Sequence, residues 1–446
     1  MRKTALLLLI GALAPAAWGS GFDTSYLAAY QGTYRFPDGT CIAGGRMDEA
    51  GKSRLLYMDV WRNRLGGLFE RHDDAIESLV PSGIRLRFGA DGSVMTWAGP
   101  DGTERTASRV AQPDSRPAHF TSHGLKLAGR LFVARRGARH LPAVVLAHGS
   151  GPVTRFAGPW IDFFTNLGFA VLAYDKRGSG ESPGDWRSAS YVDLADDLSA
   201  AVDWLAGQPE VDATRLGIHS SSQSGWYAPR VAARNPRVRF LIQRAGPGLS
   251  VGPVTLHERQ SDWRADGVAE SDIRPAGRFW MALHTLARRD GSLDEAQHLL
   301  DEARTRPWFP ATYGDWHTVD TGWWQRVKVN VTLQPARTAA RLRIPVLWFL
   351  ADHDQNVPYA ASRAAVDKAA KTPHADIRLI TIHGGRHSFL VREADGTVHF
   401  TDRYWPVMAD WLKARGMTER AFSNCGGPHS DPEVVDLDLP MVRPVE

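Results

Sequence analysis

The sequence predicts an α/β fold: a mostly parallel sheet covered by helices on both faces, interrupted by a helical insertion and preceded by a small β-rich domain. Three observations carry this expectation. From about residue 118, strand-like apolar runs alternate with helix-length amphipathic ones. That rhythm stops between 249 and 338, where Trp and charged residues dominate and helical patterns return. Before it, residues 22–115 hold short runs punctuated by Pro37-Asp38-Gly39, Asp91-Gly92 and Asp101-Gly102, the signature of antiparallel hairpins.

The individual elements follow from the same patterns. In the N-terminal region, Ser53–Val60, Ile84–Phe88 and Ser93–Ala98 read as strands. In the first core segment, 118–248, Leu141–His148, Phe169–Tyr174, Arg215–His219 and Val238–Gln243 are strand-like. Trp160–Leu167, Tyr191–Gln208 and Gln223–Asn235 are helical. The insertion, 249–338, carries helical stretches near Pro275–Arg289 and Leu293–Arg304, and its place before the last strands predicts a cap over the strand tips. A second core segment, 339–415, supplies strands at Ile344–Leu350 and Ile377–Ile382 and helices at Tyr359–Lys371 and Tyr404–Arg415. Residues 416–446, proline-bearing and aperiodic, read as a tail.

At 446 residues the chain is long enough for two or three structural units, and its 43% hydrophobic and 23% charged content is that of a globular protein. Arg2 and Lys3 precede an apolar run, Ala5 to Ala14, with small-x-small cleavage candidates at Ala14-Pro15-Ala16 and Ala17-Trp18-Gly19. Residues 1–19 therefore read as a signal peptide, and the expected location is periplasmic or secreted. The apolar run is too short to span a bilayer, so no stable membrane span is expected. Cys41 and Cys425 are the only cysteines; an exported chain permits a bridge between them, with two half-buried thiols as the alternative. The net charge of +4 is scattered without a basic block, which argues against a nucleic-acid surface. Neither cysteine has ligand-spaced neighbours, and no metal or other cofactor is implied.

The chemistry concentrates after four strands. Arg215 to Trp226 runs from strand into helix through Ser220-Ser221-Ser222-Gln223-Ser224-Gly225, a turn that lifts a hydroxyl above the sheet at a helix N-terminus. Ser220 and Ser221 compete with Ser222 as nucleophile. Upstream, an apolar strand ends in His148-Gly149-Ser150-Gly151-Pro152, a turn whose backbone amides can face an oxyanion; one donor is assigned near Ser150 and the other to the amide of Gln223. His148 reads as a loop-orienting residue, and the Asp and Arg of Tyr174–Ser182 as loop braces. The loop Ala351–Pro358 offers Asp352 and Asp354, of which Asp354, just before the turn, is preferred. Past the next strand, His383 and His387 compete for the base, and His387 is favoured by its place after Gly384-Gly385 and before Phe389.

With these pieces in order, the chain resembles the α/β-hydrolase superfamily, and within it bacterial serine esterases and peptidase-like hydrolases of the dienelactone hydrolase and prolyl oligopeptidase group. His148–Pro152, Tyr174–Ser182, Ser222–Trp226, Asp354–Pro358 and His387 carry the resemblance, which covers about 118 to 415. Related elbows commonly read G-x-S-Q-G-G-W, which the resemblance aligns with Ser222 as nucleophile; this chain has Ser at 220 and 224 in place of Gly. The expected activity is hydrolysis of a small-molecule carboxylic ester or related acyl bond through Ser222, His387 and Asp354. An exported serine peptidase or amidase with the same triad is one alternative, and a catalytically silent binding protein on the same fold is another. Trp308, Trp316, Trp323 and Trp324 are candidates for the wall of a pocket in the insertion or for its core; the substrate-binding residues and the oligomeric state are otherwise unassigned.

Overall fold

The computed structural model describes residues 25–419 except 50–51, 62–63, 73–74, 81–82, 393–397 and 402–403. The expected signal peptide and Cys425 lie outside the described residues, as does the tail after 419. Cys41 is fully buried and disulfide-bonded.

After a short 3-10 turn at Ser25–Tyr30, eight antiparallel strands form a closed barrel: β1 (Gly32–Arg35), β2 (Cys41–Glu49), β3 (Lys52–Asp59), β4 (Arg64–His72), β5 (Ala75–Val80), β6 (Arg85–Phe88), β7 (Val94–Ala98) and β8 (Glu104–Ala111). The three Asp-Gly turns share one geometry. In each, the glycine has positive φ and its N–H bonds the carbonyl three residues back: Gly39 to Phe36, Gly92 to Gly89 and Gly102 to Gly99. The preceding aspartate accepts the next backbone N–H, from Thr40, Ser93 or Thr103, so the dipeptide defines the turn from both sides. Tyr34, Tyr57, Phe69, Leu86 and Met95 fill the barrel, which is a packed core.

The second unit is an eight-stranded sheet. It opens with an antiparallel pair, β9 (Asp114–Ser122) and β10 (Leu125–Val133), and continues with β11 (Leu141–Leu146), α1 (Pro159–Asn166), β12 (Ala170–Tyr174), α2 (Tyr191–Ala206), β13 (Val211–Ser221), α3 (Ser224–Arg234) and β14 (Phe240–Arg244). The insertion then supplies α4 (Val251–Ala265), α5 (Glu270–Arg288), α6 (Leu293–Arg304), α7 (Phe309–Tyr313), α8 (Thr321–Asn330) and α9 (Pro335–Ala339). The chain returns through β15 (Val346–Ala351), α10 (Tyr359–Ala370), β16 (Ile377–Ile382), a small hairpin of β17 (Leu390–Arg392) and β18 (Val398–Phe400), and α11 (Tyr404–Ala414).

The strand order is β16-β15-β14-β13-β11-β12-β10-β9, parallel from β16 to β12. The chain moves from β11 to β12 on one side and then to β13 on the other, so the order reverses at β11. In such sheets ligands bind in the crevice beyond the C-terminal strand ends at that reversal. The loop after β11 and the turn after β13 meet there. α2, α3, α9 and α10 pack on one face and α1 and α11 on the other, which buries both sides of the sheet and accounts for the continuous apolar runs of β11, β12 and β15.

The barrel is welded to this unit. Leu56, Met58 and Val60 of the barrel side join the cluster built around α1 and α11. Asp48 N–H bonds Phe156 O and Gly158 N–H bonds Arg46 O, so β2 pairs with the loop leading into α1. Gln31 donates to Gly158 O at 3.1 Å and to the carboxylate of Asp162, which is 1% exposed. Burial pushes the Asp162 carboxyl well above the ordinary range, with the Gln31 bond opposing. A raised folded pKa contributes stability in acid that is lost as the pH climbs from the ordinary carboxyl value toward the folded one. Asp162→Asn keeps an acceptor for Gln31 without a charge to bury. It should therefore raise stability to denaturant at neutral pH by about 1–3 kcal/mol, and the gain should vanish below about pH 4.

Candidate active site

The turn after β13 departs from ideal backbone at one residue. Ser222 has φ +51, a left-handed conformation that costs a non-glycine residue roughly 1–2 kcal/mol. The strain is held by bonds on both sides. Ser222 N–H donates to Arg244 O at 2.9 Å, Gly225 N–H to Ser222 O at 2.8 Å, and Ser224 N–H to His148 O at 3.1 Å. The two serines that stand where related elbows carry glycine are both engaged. Ser224 Oγ accepts from Ser221 N–H (2.8 Å) and donates to Ser221 O (3.0 Å), and fully buried Ser220 Oγ bonds Ile242 O and the Gln243 amide oxygen. The close approach falls instead on Gly225, where a Cβ would lie 2.5 Å from Gly246 Cα.

Ser222 Oγ lies 2.8 Å from His387 Nε2. His387 Nδ1 in turn lies 2.8 Å from Asp354 Oδ2 and 3.0 Å from Oδ1. Asp354, 6% exposed, also accepts the N–H groups of Asn356 (2.8 Å) and Val357 (2.9 Å), which fix its plane. The other candidates are used elsewhere. Asp352 pairs with exposed His383 at 3.0 Å and takes Gly384 N–H, while Ser221 Oγ accepts from Arg244 at 3.0 Å. Phe389, fully buried against Phe349 and Tyr404, anchors the loop that presents His387.

The loop after β11 passes beside the serine: a Cβ on Gly149 would stand 3.8 Å from Ser222 Cβ. Among the described residues the backbone N–H groups of Ser150 and Gln223 have no acceptor, so both are available to a ligand oxygen. His148 is buried, and its ring N–H donates to Tyr174 O at 2.6 Å; burial, with Lys176 adding, pulls its pKa down to about 3, so it is a neutral brace. The Asp175 carboxylate accepts from the guanidinium (2.6 and 3.1 Å) and the backbone N–H of Arg155, and Arg177 pairs with Asp197 (2.6 Å). Both act as loop braces.

Three side chains at the site escape sequence reasoning. The first is Lys176, 1% exposed, whose ammonium donates to Gly149 O (2.8 Å), Gly151 O (3.1 Å) and Gln223 Oε1 (2.6 Å). Burial pushes its pKa down to about 7, and those three oxygens take the place of water around it. It ties together the two segments that offer Ser150 and Gln223 N–H. Lys176→Met should lower kcat about 10–100-fold with a much smaller change in KM, measured with an activated ester.

The second is Glu258 on α4, whose carboxylate accepts Asn356 Nδ2 at 2.7 Å and whose charge is felt at His387. The third is Arg244 at the end of β14, bonded to Ser221 and to Ser388 O (2.9 Å). Burial pulls the His387 imidazolium down, but the charge and hydrogen bond of Asp354, with Glu258 adding and Arg244 opposing, leave its pKa above the ordinary value. Removing a negative charge destabilises the imidazolium. Glu258→Gln should therefore move the acid limb of kcat/KM to lower pH, by about 0.3–1 pH unit in a pH–rate profile.

The arrangement can move a proton from a hydroxyl to an imidazole held by a buried carboxylate, beside two free amides. Fold and site define a serine-type hydrolase of the α/β-hydrolase superfamily. The family model described as X-Pro dipeptidyl-peptidase (S15 family) matches residues 97–388, and the chain belongs to that family. An uncharacterized 31.7 kDa protein from the traX-finO intergenic region of Escherichia coli is 24% identical over 263 residues, 56% of this chain and 85% of its own length. The thiohydrolase aneE of Aspergillus aculeatus is 35% identical over 144 residues, 32% of this chain and 42% of its own. The solved structure of Est1E from Butyrivibrio proteoclasticus with ferulic acid bound is 18% identical and covers 67% of this chain and 96% of its own, with a TM-score of 0.42. Among the described residues no helix is long and apolar enough to cross a membrane.

Proposed function

We propose that the protein hydrolyses carboxylic esters or related acyl bonds, with Ser222 as nucleophile, His387 as general base and acid, and Asp354 as the group that holds His387. The observation that carries this reading is the unbroken chain from Ser222 Oγ through both His387 nitrogens to Asp354, with contacts of 2.8 Å at each end. Ser222 Oγ adds to the acyl carbon as its proton passes to His387 Nε2. The carbonyl oxygen becomes an oxyanion facing the N–H groups of Gln223 and Ser150. Collapse expels the alcohol, which takes the proton from His387. Water, deprotonated by His387, then attacks the acyl-enzyme and releases the acid and free Ser222. The insertion between β14 and β15 acts as the cap: His257 of α4 touches Asp354 O (3.2 Å) and Glu258 holds Asn356. The signal-like residues 1–19 support a periplasmic or secreted site of action.

A second reading is favoured by the family match: cleavage of an amide after Xaa-Pro by the same residues. Glu258, a half-buried carboxylate beside the site, offers a counter-charge to a peptide N-terminal ammonium. A panel of p-nitrophenyl esters of short and long acyl chains alongside Xaa-Pro anilides separates the two. Turnover of the esters with little action on the anilides is expected; selective turnover of the anilides would replace the ester reading by the peptidase one.

A further inference from the structure

The helical insertion holds a cavity of about 490 Å³ among α4, α5, α7, α8 and the loop before α8. That volume suits a small molecule. Its wall is of two kinds, the rings of Trp280, Tyr313, Trp316 and Trp323 and the guanidinium groups of Arg259 and Arg326. Trp324, by contrast, is 1% exposed and belongs to the insertion's core, as Trp308 largely does.

Arg259 is the unusual member. It is half-buried, with its guanidinium carbon 4.1 Å from the centroid of the Trp280 ring and 5.9 Å from that of Tyr313. Among the described residues no carboxylate comes within ion-pair distance of it or of Arg326, and neither guanidinium has a hydrogen-bond acceptor. Its neighbour Glu258 binds Asn356 instead. Asp320, the acid of the cavity wall, spends one carboxylate oxygen on Trp323 N–H at the start of α8. A guanidinium cannot shed its proton to escape burial, and ring faces replace only part of its hydration. The cavity wall thus carries two guanidinium groups that an anion could pair with.

We propose that this cavity is a binding site for an aromatic carboxylate, its ring packed on the indoles of Trp316 and Trp323 and its carboxylate bonded to Arg259 and Arg326. A guanidinium fork matches a planar carboxylate through two parallel N–H···O bonds, and the indole faces match a flat ring. The site is built from residues apart from Ser222, Asp354 and His387, and it does not depend on the hydrolytic reading. It shares α4 with that site, since His257 and Glu258, the two residues before Arg259, contact the Asp354 loop.

Calorimetric titration of the full chain carrying Ser222→Ala with 2-naphthoate and its neutral isostere 2-naphthamide tests this. We expect 2-naphthoate to bind about tenfold or more tightly than the amide. Arg259→Gln should remove that preference while leaving the amide's affinity unchanged, and Arg259→Lys should restore part of it. Arg326→Gln should weaken naphthoate in the same direction and keeps the test informative if the Arg259 variants lose their fold by near-UV dichroism. Absence of naphthoate binding, equal affinity for the two compounds, or naphthoate binding unchanged in both Gln variants would overturn the proposal. A protein that binds naphthoate yet hydrolyses no ester supports this site and sinks the hydrolytic reading alone.

Discussion

Ser222→Ala is expected to lower kcat/KM for an ester substrate by a factor on the order of 10⁵–10⁶, down to what the two free amides and substrate binding provide alone. The size of the loss follows from the surroundings of its neighbours. Ser220 is fully buried, with its hydroxyl spent on Ile242 O and the Gln243 amide. Ser221 is tied to Arg244. Neither hydroxyl contacts an imidazole, so neither substitutes for Ser222. The variant should fold normally, because the elbow is held by backbone bonds to Arg244, Gly225 and His148 and by the Ser224 hydroxyl, none of which uses Ser222 Oγ. Steady-state hydrolysis beside a denaturation curve separates loss of chemistry from loss of fold.

Asp354→Asn is expected to cost about 10⁴ in kcat with the fold intact. Asp354 Oδ1 accepts two backbone N–H groups, and an Asn side-chain oxygen can keep both. Its amide nitrogen then faces His387 Nδ1. That nitrogen must become an acceptor, so the ring proton moves to Nε2, the atom that lies 2.8 Å from Ser222 Oγ and has to receive the serine proton. The substitution also removes the carboxylate that holds the His387 pKa up. The residual activity should consequently keep its acid limb at lower pH than the parent enzyme. A pH–rate profile of the variant reads both effects, and activity within tenfold of the parent would contradict the role given to Asp354.

Much of this architecture is legible in the sequence because its causes are local. The runs Ala143–Leu146, Ala170–Tyr174 and Val346–Ala351 are buried on both faces, and continuous apolarity of that kind announces a covered parallel sheet. The Asp-Gly turns define hairpins within a few residues. Barrel closure is different in kind, since β1 pairs with β8 across more than sixty intervening residues and no local pattern encodes that return. The pair β9–β10 escapes because β9 is a polar edge strand, and it begins at Asp114, earlier than the change of pattern near 118. α4 is missed because only Val251, Gly252 and Val254 at its start and Trp263 near its end are buried, while His257 and Glu258 contact the Asp354 loop and Arg259 lines the cavity, with no amphipathic stripe to detect.

The site divides along the same line. Ser222, Asp354 and His387 each follow a strand whose apolar run is visible, and that spacing is what brings them to one end of the sheet. The replacement of glycine at 220 and 224 reads as an irregularity in sequence. In the folded chain both hydroxyls are bonded, and the close contact with Gly246 is met by Gly225. Lys176 and Glu258 stay hidden because their roles depend on contacts with residues 25 to 98 positions away. No motif spans such distances, and only the reversal of strand order at β11 brings the Lys176 partners together.

The proposed hydrolysis depends on one nucleophile, and covalent labelling tests its identity most directly. A fluorophosphonate probe should modify the folded protein once, and peptide mapping by mass spectrometry should place the adduct on Ser222, with no labelling of Ser222→Ala or of His387→Ala on the same timescale. An adduct on Ser221 or Ser220, or a well-folded protein that takes no label at all, would contradict it.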